Sequence, residues 1–382
     1  MILDPASPAL ASLSTPALVV DRASLVNNMS AMAARAGATG IALRPHAKTH
    51  KCVEIARLQM DAGAIGIACA TLLELEHMAA AGLGGLLLTA PQAGEDRAER
   101  IAALNRRTPV MVTLDHPVQA RQLAAAVRPG DPDLGVLIDV DVGQKRTGVV
   151  TLAESLLLAG IIAAAPGLTL KGVQGFAGQA QHVIEAEARR ALAQEVWESL
   201  AAHRDAVRAA GHAADIVTGS GTGTSAFDLE GRFTELQVGS YVFMDADYAR
   251  LEGDAANRGP LPYAHALFVL ARVVSANRAG QVTVDAGTKA LAFNGPPPDL
   301  ILGAPDGTRY GFAGDEHGIL HLPDGSAPPA LGSRVLIAAT HCDPTANLHA
   351  GYHVVSGSGL EFWPIVGRYG DAAPRADLCG FR

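Results

Sequence analysis

The sequence lacks a concentrated patch of positive charge. Its 30 lysine and arginine residues are scattered, and the formal net charge is -8. Because binding to phosphates needs a basic face, we expect no nucleic-acid partner. Cysteine is also scarce: Cys52, Cys69, Cys342 and Cys379 stand far apart and form no C-x-x-C pair. This spacing argues against a disulfide framework or a cysteine-based zinc site, and favours reduced cytosolic thiols.

Long hydrophobic runs are missing as well, although 49% of the residues are hydrophobic. The most apolar stretch, 155–168, is shorter than the roughly 20 residues that a membrane span needs, and it predicts a buried helix. The first 16 residues carry no basic region ahead of an apolar one, so they do not predict a signal peptide. We therefore expect a soluble, cytoplasmic protein with no membrane partner.

Short β-branched or apolar runs alternate with helical stretches from about residue 40. Strict alternation of strand and helix predicts parallel strands with crossover helices. Eight such units favour an α/β fold with a closed (β/α)₈ TIM-type barrel, and an open doubly wound sheet is the alternative. The strand candidates are 41–46, 64–69, 85–90, 110–115, 135–140, 168–173, 215–219 and 235–240.

The composition changes near residue 255, where the chain becomes rich in glycine, proline and valine and shows no convincing helix. This composition predicts a second, all-β C-terminal domain. At a typical ~100–200 residues per domain, two domains suit the length of the chain. We predict a barrel over 22–255 and a β-domain over 256–382, to which residues 1–21 add a strand at 16–21.

Residues at the carboxyl ends of the barrel strands are the first candidates for function, because the active sites of such barrels lie there. Lys48 follows the first strand. A lysine desolvated among cations has a lowered pKa and can form a Schiff base with an aldehyde. Arg146, after the fifth strand, lies at the same mouth and can contact the phenolic oxygen of a cofactor ring. The alternatives are a solvated basic loop and a surface arginine.

Two glycine-containing turns end the last two strands, at 218–224 and at 239–241. Glycines let backbone N–H groups approach an anion, and serine, threonine and tyrosine hydroxyls complete a cup. Barrels commonly bind phosphate after strands seven and eight. We therefore predict a phosphate site here, with a flexible loop as the alternative.

An H-x-D motif, His341-Cys342-Asp343, follows the strand-like run 335–340. On a strand, residues two apart share a face, so His341 and Asp343 would point together and Cys342 away. Imidazole and carboxylate ligands suit Mn²⁺ or Mg²⁺, with Zn²⁺ or Co²⁺ as further candidates. The alternative is a hydrogen-bonded surface pair.

Six motifs in order resemble those of the D-threonine aldolase branch of the fold-type III pyridoxal-phosphate enzymes. This group also holds alanine racemases, D-serine dehydratases and 3-hydroxyaspartate aldolases. The resemblance runs from 15–21 to the WPIVGR near the end. The motifs are RPHAKTHK, DVDVGQKRTGV, GSGTG, ELQVGSYVFMDADY, GDEHG and HCDPTANLH.

The resemblance implies an alanine-racemase-type barrel with a β-domain, assembled as a homodimer that binds pyridoxal 5'-phosphate and a divalent metal. It implies cleavage of D-3-hydroxy amino acids to glycine and an aldehyde. Lys48 matches the Schiff-base lysine, Arg146 the arginine at the phenolic oxygen, and His182 a histidine near the substrate. His341 and Asp343 match the metal ligands. The phosphate cup is matched by Thr222, Gly223, Gly239, Ser240 and Tyr241.

One segment departs from the resembling proteins, which usually read Q-A-Y-x-G where this chain has Gln174-Gly175-Phe176-Ala177-Gly178. Phenylalanine can pack against a cofactor ring but cannot hydrogen-bond to it. The partner of the pyridine nitrogen therefore stays open, as does the choice among threonine, 3-hydroxyaspartate and phenylserine types of substrate.

Three other activities remain as alternatives. A D-serine or 3-hydroxyaspartate dehydratase is the nearest, but dehydratases of this group tend to carry cysteine where Asp343 stands here. A non-catalytic cofactor-binding protein would resemble the barrel alone. A racemase needs a second acid/base group opposite the lysine, and no motif places one.

Overall fold

A computed structural model describes residues 3–231, 233–253, 259–298, 300–357 and 359–374. The predicted boundary at residues 255–256 and Cys379 lie outside the described residues. Within these ranges, Cys52, Cys69 and Cys342 are buried free thiols.

Eight parallel strands of the described chain form the first sheet, and all eight strand candidates are confirmed. Hydrogen bonding runs in order around this sheet, and a bridge between His46 and Ala68 joins its first two strands, so the sheet closes into a (β/α)₈ barrel. Leu134–Asp139 is buried along its whole length, as expected for a strand covered on both faces. The strands are Ala42–Leu43, Ala68–Cys69, Leu86–Leu88, Val110–Leu114, Leu134–Asp139, Leu168–Gly175, Ile216–Gly219 and Glu235–Leu236.

Helices follow the barrel strands on the outside. Three of them begin with a capping box, and the pairs are Thr71 with Glu74, His116 with Gln119 and Thr151 with Glu154. Such boxes satisfy backbone N–H groups that the first turn leaves free. The helices of the barrel region are Arg22–Thr39, Val53–Asp61, Leu72–Ala80, Glu95–Asn105, Pro117–Ala126, Leu152–Ala164, Ala186–Ala209 and Ser225–Asp228.

The apolar stretch 155–168 forms part of the helix Leu152–Ala164, but the expectation that this helix is buried is only partly right. Leu158 and Ile162 are buried, whereas Leu157 is 59% exposed. One face packs on the barrel and the other faces outward, because each crossover helix lies on the surface of the sheet. Among the described residues, no helix is both long enough and apolar enough to cross a membrane.

The second sheet joins the two ends of the chain. Ala17–Asp21 pairs antiparallel with Leu267–Arg278 on one side and parallel with Gly351–Ser356 on the other. Asp21 then caps the first long helix of the barrel by accepting from the N–H of Ala23 at 3.3 Å. The remaining strands are Gln281–Val284, Ile301–Leu302, Arg309–Phe312, Gly318–His321, Arg334–Ala338 and Gly359–Pro364.

The H-x-D motif does not lie on a strand, so the strand argument for its geometry is wrong. The strand Arg334–Ala338 ends before it, and His341 is the N-cap residue of the short helix Cys342–Asn347. A proline at position 344, in the first turn of this helix, suits a helix start and not a central strand. The second domain is thus mostly, but not entirely, β.

Candidate active site

A cavity opens at the carboxyl ends of the barrel strands. Its walls come from loops after most of the strands, which is where barrels of this type carry their chemistry. Five of the predicted site residues line it: Lys48, Arg146, Thr222, Gly239 and Ser240.

Lys48 lies in the single 3-10 turn Ala47–Thr49 that follows the first barrel strand. His46 caps this turn, since its Nδ1 accepts from the backbone N–H of Lys48 at 3.3 Å. The other ring nitrogen, Nε2, must then carry the proton, and it lies 3.0 Å from Thr89 Oγ1. His46 thereby holds the backbone that presents the Lys48 side chain to the cavity.

The Lys48 amine is paired with a carboxylate of the second domain. Its Nζ lies 2.9 Å from Asp343 Oδ2, and the side chain keeps 40% of its exposure. The predicted lowering of its pKa is therefore wrong in this state: the charge of Asp343 raises the pKa of Lys48 and outweighs burial. Covalent use of the amine requires that this ion pair separate.

The glycine turn after Ile216–Gly219 supplies one wall of the cavity through Gly221 and Thr222. Gly223 lies behind this wall, and its N–H donates to Gln181 Oε1 at 3.0 Å. Thr222 Oγ1 accepts from the N–H of Tyr241 at 2.9 Å, which joins the two predicted turns. The structure thus brings the two halves of the predicted cup together.

The Tyr241 hydroxyl does not complete the cup, and this part of the prediction is corrected. The ring is buried, and its oxygen accepts from Gln59 Nε2 at 3.3 Å. Burial raises the pKa of Tyr241, so the hydroxyl stays neutral. Only the backbone of Tyr241 takes part in the turn.

Arg146 and Lys48 approach the same aromatic ring. The centroid of Phe176 lies 5.8 Å from Arg146 Cζ and 5.9 Å from Lys48 Nζ. Phe176 also lines the cavity. Its ring can therefore pack against a flat ligand held between these two cations, as the sequence predicts for a residue that offers no hydrogen bond.

The H-x-D motif lies behind the cavity lining, where Asp343 contacts Lys48. Burial would raise the pKa of this carboxyl, but the charges of Lys48 and His341 outweigh burial and lower it. The His341 ring is held from the other side by Asn294 Nδ2, 3.0 Å from Nδ1. Among the described residues, no group of three or more histidine, cysteine or acidic side chains is arranged to hold a metal.

His182 lies beside this motif. Its ring centroid is 6.5 Å from that of His341 and 5.0 Å from that of Tyr248. Its Nδ1 lies 2.8 Å from Asp247 Oδ2. This hydrogen bond is the main reason that the pKa of Asp247 is lowered. The predicted site residues of the barrel and of the second domain therefore lie close together at the carboxyl-terminal end of the barrel.

Comparisons with known proteins place this arrangement in a family. Residues 20–247 match the model of the alanine racemase N-terminal domain, and residues 266–355 match that of a serine dehydratase domain. A D-threonine aldolase from Arthrobacter sp. is 38% identical, with 95% of this chain and 96% of that protein covered. The chain belongs to the D-threonine aldolase branch of the alanine racemase-like family.

Two further D-threonine aldolase-like proteins support this assignment. The crystal structure of D-threonine aldolase from Filomicrobium marinum superposes with a TM-score of 0.89 at 38% identity, covering 94% of this chain and 97% of that one. A 3-hydroxy-D-aspartate aldolase from Paracoccus denitrificans is 34% identical over 95% of both chains.

Several residues of this D-threonine aldolase-like site were missed by sequence reasoning. Asp139, Gln174 and Gln237 line the cavity floor as one network, in which Gln174 Nε2 donates to Asp139 Oδ1 at 3.0 Å and Gln237 Nε2 donates to Gln174 Oε1 at 3.0 Å. Burial raises the pKa of Asp139 to about 6. Each of the three is a polar residue at the carboxyl end of a barrel strand, and this position could have marked it as a site residue in the sequence.

Two further residues that the sequence did not reveal, Gln181 and Asp228, hold the turn that forms one half of the phosphate cup. Gln181 Oε1 accepts from the N–H groups of Gly223 and Thr224, at 3.0 and 3.3 Å. Asp228 accepts from Thr224 Oγ1 at 2.5 Å and from Trp197 Nε1 at 2.8 Å. These contacts fix the turn, because its backbone donors and its threonine are held by buried side chains.

Unusual backbone conformations border the same site. Among the described residues, four that are not glycine have φ in the left-handed region, between +47° and +77°. Each one is close in sequence to a segment of the site. They are Lys51, Lys145, Ser220 and Met244. Such conformations are costly and concentrate where the surrounding structure imposes them, commonly at functional sites.

Proposed function

We propose that this protein is an aldolase dependent on pyridoxal phosphate and a divalent metal, which cleaves D-3-hydroxy amino acids of the D-threonine type to glycine and an aldehyde. One observation carries the proposal. Lys48 lines one cavity together with Arg146 and the glycine cup, while its amine contacts the carboxylate of the H-x-D motif. The names of the aldolases to which the chain is similar support the same reaction.

The residues present fit the cofactor. Lys48 offers a primary amine for its aldehyde, Arg146 a cation for its phenolic oxygen, and Phe176 a ring face. The phosphate would be held by the turns of Thr222, Gly223, Gly239, Ser240 and Tyr241, with Gly223 and Tyr241 shaping the backbone. Bound pyridoxal phosphate supplies an electron sink for the Cα carbon of the substrate.

The residues also fit a divalent cation. Asp343 is a partly buried carboxylate that already accommodates a cation, the Lys48 ammonium. His341 adds an imidazole, and this donor set suits Mn²⁺ or Mg²⁺, with Zn²⁺ or Co²⁺ as further candidates. A cation held here lowers the pKa of a hydroxyl bound to it. The low number of protein ligands leaves positions for water and substrate.

The chain's own residues then position the reacting atoms and move the proton. His182 accepts the proton of the β-hydroxyl, since its ring lies between Asp247 and the H-x-D motif. Cleavage of the Cα–Cβ bond forms the aldehyde, and return of one proton to Cα gives glycine. Phe176 and Tyr248 line the cavity, and their apolar rings would limit the access of water to it.

A dehydratase is the second candidate, because residues 266–355 match the serine dehydratase domain model. Cys342 bears on this choice, since dehydratases that the chain resembles tend to use a thiol as the second ligand. The Cys342 side chain is fully buried, and Asp343 instead reaches Lys48. A carboxylate favours harder ions than a thiolate does. This geometry favours the aldolase.

The assembly and location belong to the same proposal. We infer a homodimer in the cytoplasm, acting on a small-molecule substrate, with a barrel over 22–255 and a β-domain over 256–382 plus 1–21. The few, separated cysteines support a reducing compartment.

Product analysis tests the activity. The purified protein is incubated with D-threonine, pyridoxal phosphate and Mn²⁺. Acetaldehyde with glycine supports the aldolase, 2-oxobutanoate supports the dehydratase, and no product rejects both. Borohydride should fix the cofactor to Lys48, as read by peptide mass, and the Lys48→Arg variant serves as the control. A colourless protein that gains no mass would overturn the cofactor assignment.

A further inference from the structure

Asp247 was not among the residues expected at the site, yet its carboxylate is bonded to the proposed base. Asp247 Oδ2 lies 2.8 Å from His182 Nδ1. An ionised carboxylate can only accept hydrogen bonds, so Nδ1 carries the hydrogen. In a neutral imidazole the other nitrogen, Nε2, then has the free lone pair.

The His182 ring is confined from two further directions. Tyr248 lies 5.0 Å away at an interplanar angle of 38°, and His341 lies 6.5 Å away at 69°. The side chain of His182 remains 41% exposed, so packing alone does not fix its rotation. The bond to Asp247 is the contact that selects both the orientation and the position of the ring proton.

Asp247 is itself held in place by its neighbours. Asp245, fully buried, accepts from the N–H of Tyr248 at 2.9 Å and from the N–H of Cys342 at 3.0 Å. The N–H of Ala246 donates to the carbonyl of Ala339 at 2.9 Å. This turn is therefore tied to the segment that carries His341 and Asp343. The proposed base and the proposed metal ligands are positioned by one continuous set of bonds.

We propose that Asp247 is a positioning residue for the aldol cleavage: it holds His182 in the tautomer that leaves Nε2 to accept the proton of the β-hydroxyl. This inference rests on the proposed function, because it assigns a role within that reaction. Asp247 touches neither the substrate nor the cofactor in this scheme. It acts through the imidazole, as the buried aspartate of a serine protease triad acts through its histidine.

Asp247→Asn tests the role. An amide can turn its NH₂ toward Nδ1 and favour the opposite tautomer, so kcat should fall by about 100-fold or more while KM for D-threonine stays within about twofold. The matched control is Asp215→Asn, which removes an exposed carboxylate that pairs with Arg208 at 2.7 Å, and it should leave kcat unchanged. Bound-cofactor absorbance and circular dichroism establish that both variants are folded.

A second readout does not depend on turnover. In protein labelled with ¹⁵N-histidine, two-dimensional ¹⁵N–¹H spectra distinguish the two neutral tautomers, and His182→Asn identifies the signal among the 13 histidines. The Nδ1–H tautomer in the native protein supports the inference. The Nε2–H tautomer, or an Asp247→Asn variant with native kcat, overturns it.

The two proposals fail in different ways. Native protein that gives neither glycine nor aldehyde refutes the aldolase, while the spectrum still decides the tautomer. Active native protein with an unaffected Asp247→Asn variant refutes only the role of Asp247.

Discussion

Lys48 Nζ and Asp343 Oδ2 lie 2.9 Å apart, so the amine proposed to hold the cofactor and the carboxylate proposed to hold the metal are bonded to each other. Lys48 belongs to the barrel, and Asp343 belongs to the motif that follows the strand Arg334–Ala338 of the second sheet. A metal that binds Asp343 must displace the ammonium, and a cofactor that binds Lys48 removes it. The two binding events are therefore expected to assist each other.

The first prediction is a difference in metal affinity. Mn²⁺ should bind the cofactor-loaded protein about tenfold or more tightly than the cofactor-free protein, because only the latter must break the ion pair, a coupling of roughly 1–3 kcal/mol. Calorimetric titration of both forms measures it. Lys48→Met removes the ammonium, so its cofactor-free form should bind Mn²⁺ as tightly as loaded native protein does. Equal affinity in the two native forms would contradict the coupling.

The second prediction separates the metal from the cofactor. His341→Ala should lower kcat by about 100-fold or more, since the cation loses one of its two protein ligands. The absorbance of bound cofactor should be unchanged, because His341 does not line the cavity beside Lys48 and Arg146. Steady-state assays and visible spectra at saturating Mn²⁺ check both points. Full activity in the variant would remove His341 from the reaction.

The third prediction concerns the support of the phosphate cup. Gln181→Ala leaves the N–H groups of Gly223 and Thr224 without their acceptor. Each unsatisfied buried donor costs about 1–3 kcal/mol, so the turn should loosen and cofactor affinity should fall by about tenfold or more. Fluorescence titration of the cofactor-free protein gives the dissociation constant. Gln194→Ala, which changes an exposed helix residue, is the control and should bind as native protein does. Unchanged affinity in Gln181→Ala would mean that the turn holds its shape alone.

The fourth prediction is a pH dependence of stability. Burial raises the pKa of Asp228 from 3.8 to about 6. At a pH between these two pKa values, the folded protein keeps a proton that the unfolded chain releases. The stabilising effect of this proton is therefore fully present below pH 3.8 and is lost as the pH rises through about 6. The loss is about 2–3 kcal/mol in the free energy of unfolding.

Asp228→Asn lacks this titration. Urea unfolding between pH 4 and pH 7 should show native protein losing stability relative to the variant, with the difference constant above pH 7. Asp215→Asn, at an exposed carboxylate, should track native protein throughout. Parallel curves for native protein and Asp228→Asn would show that the carboxyl titrates normally.

Much of the barrel was predictable from the sequence because strand and helix periods alternate strictly from residue 40 onward. The positions of Lys48 and of the turn at Gly221 were predictable for the same reason, because each directly follows a strand of the barrel. The H-x-D motif was placed on a strand because 335–340 is apolar, but a short helix begins at Cys342 instead. Asp228, Gln181 and Asp247 were missed since each acts through contacts between segments far apart in the chain, which no local pattern records.

The strand Ala17–Asp21 has a consequence for how the gene can be divided. It belongs to the second sheet by hydrogen bonding, yet it leads directly into the helix that covers the barrel. A clone starting at residue 22 would encode every barrel strand but would leave Leu267–Arg278 and Gly351–Ser356 without the partner between them. Circular permutants that link residues before Ala17 to residues after Gly359–Pro364 should preserve this pairing, and any shuffling of halves among homologues must carry Ala17–Asp21 together with the carboxyl-terminal portion.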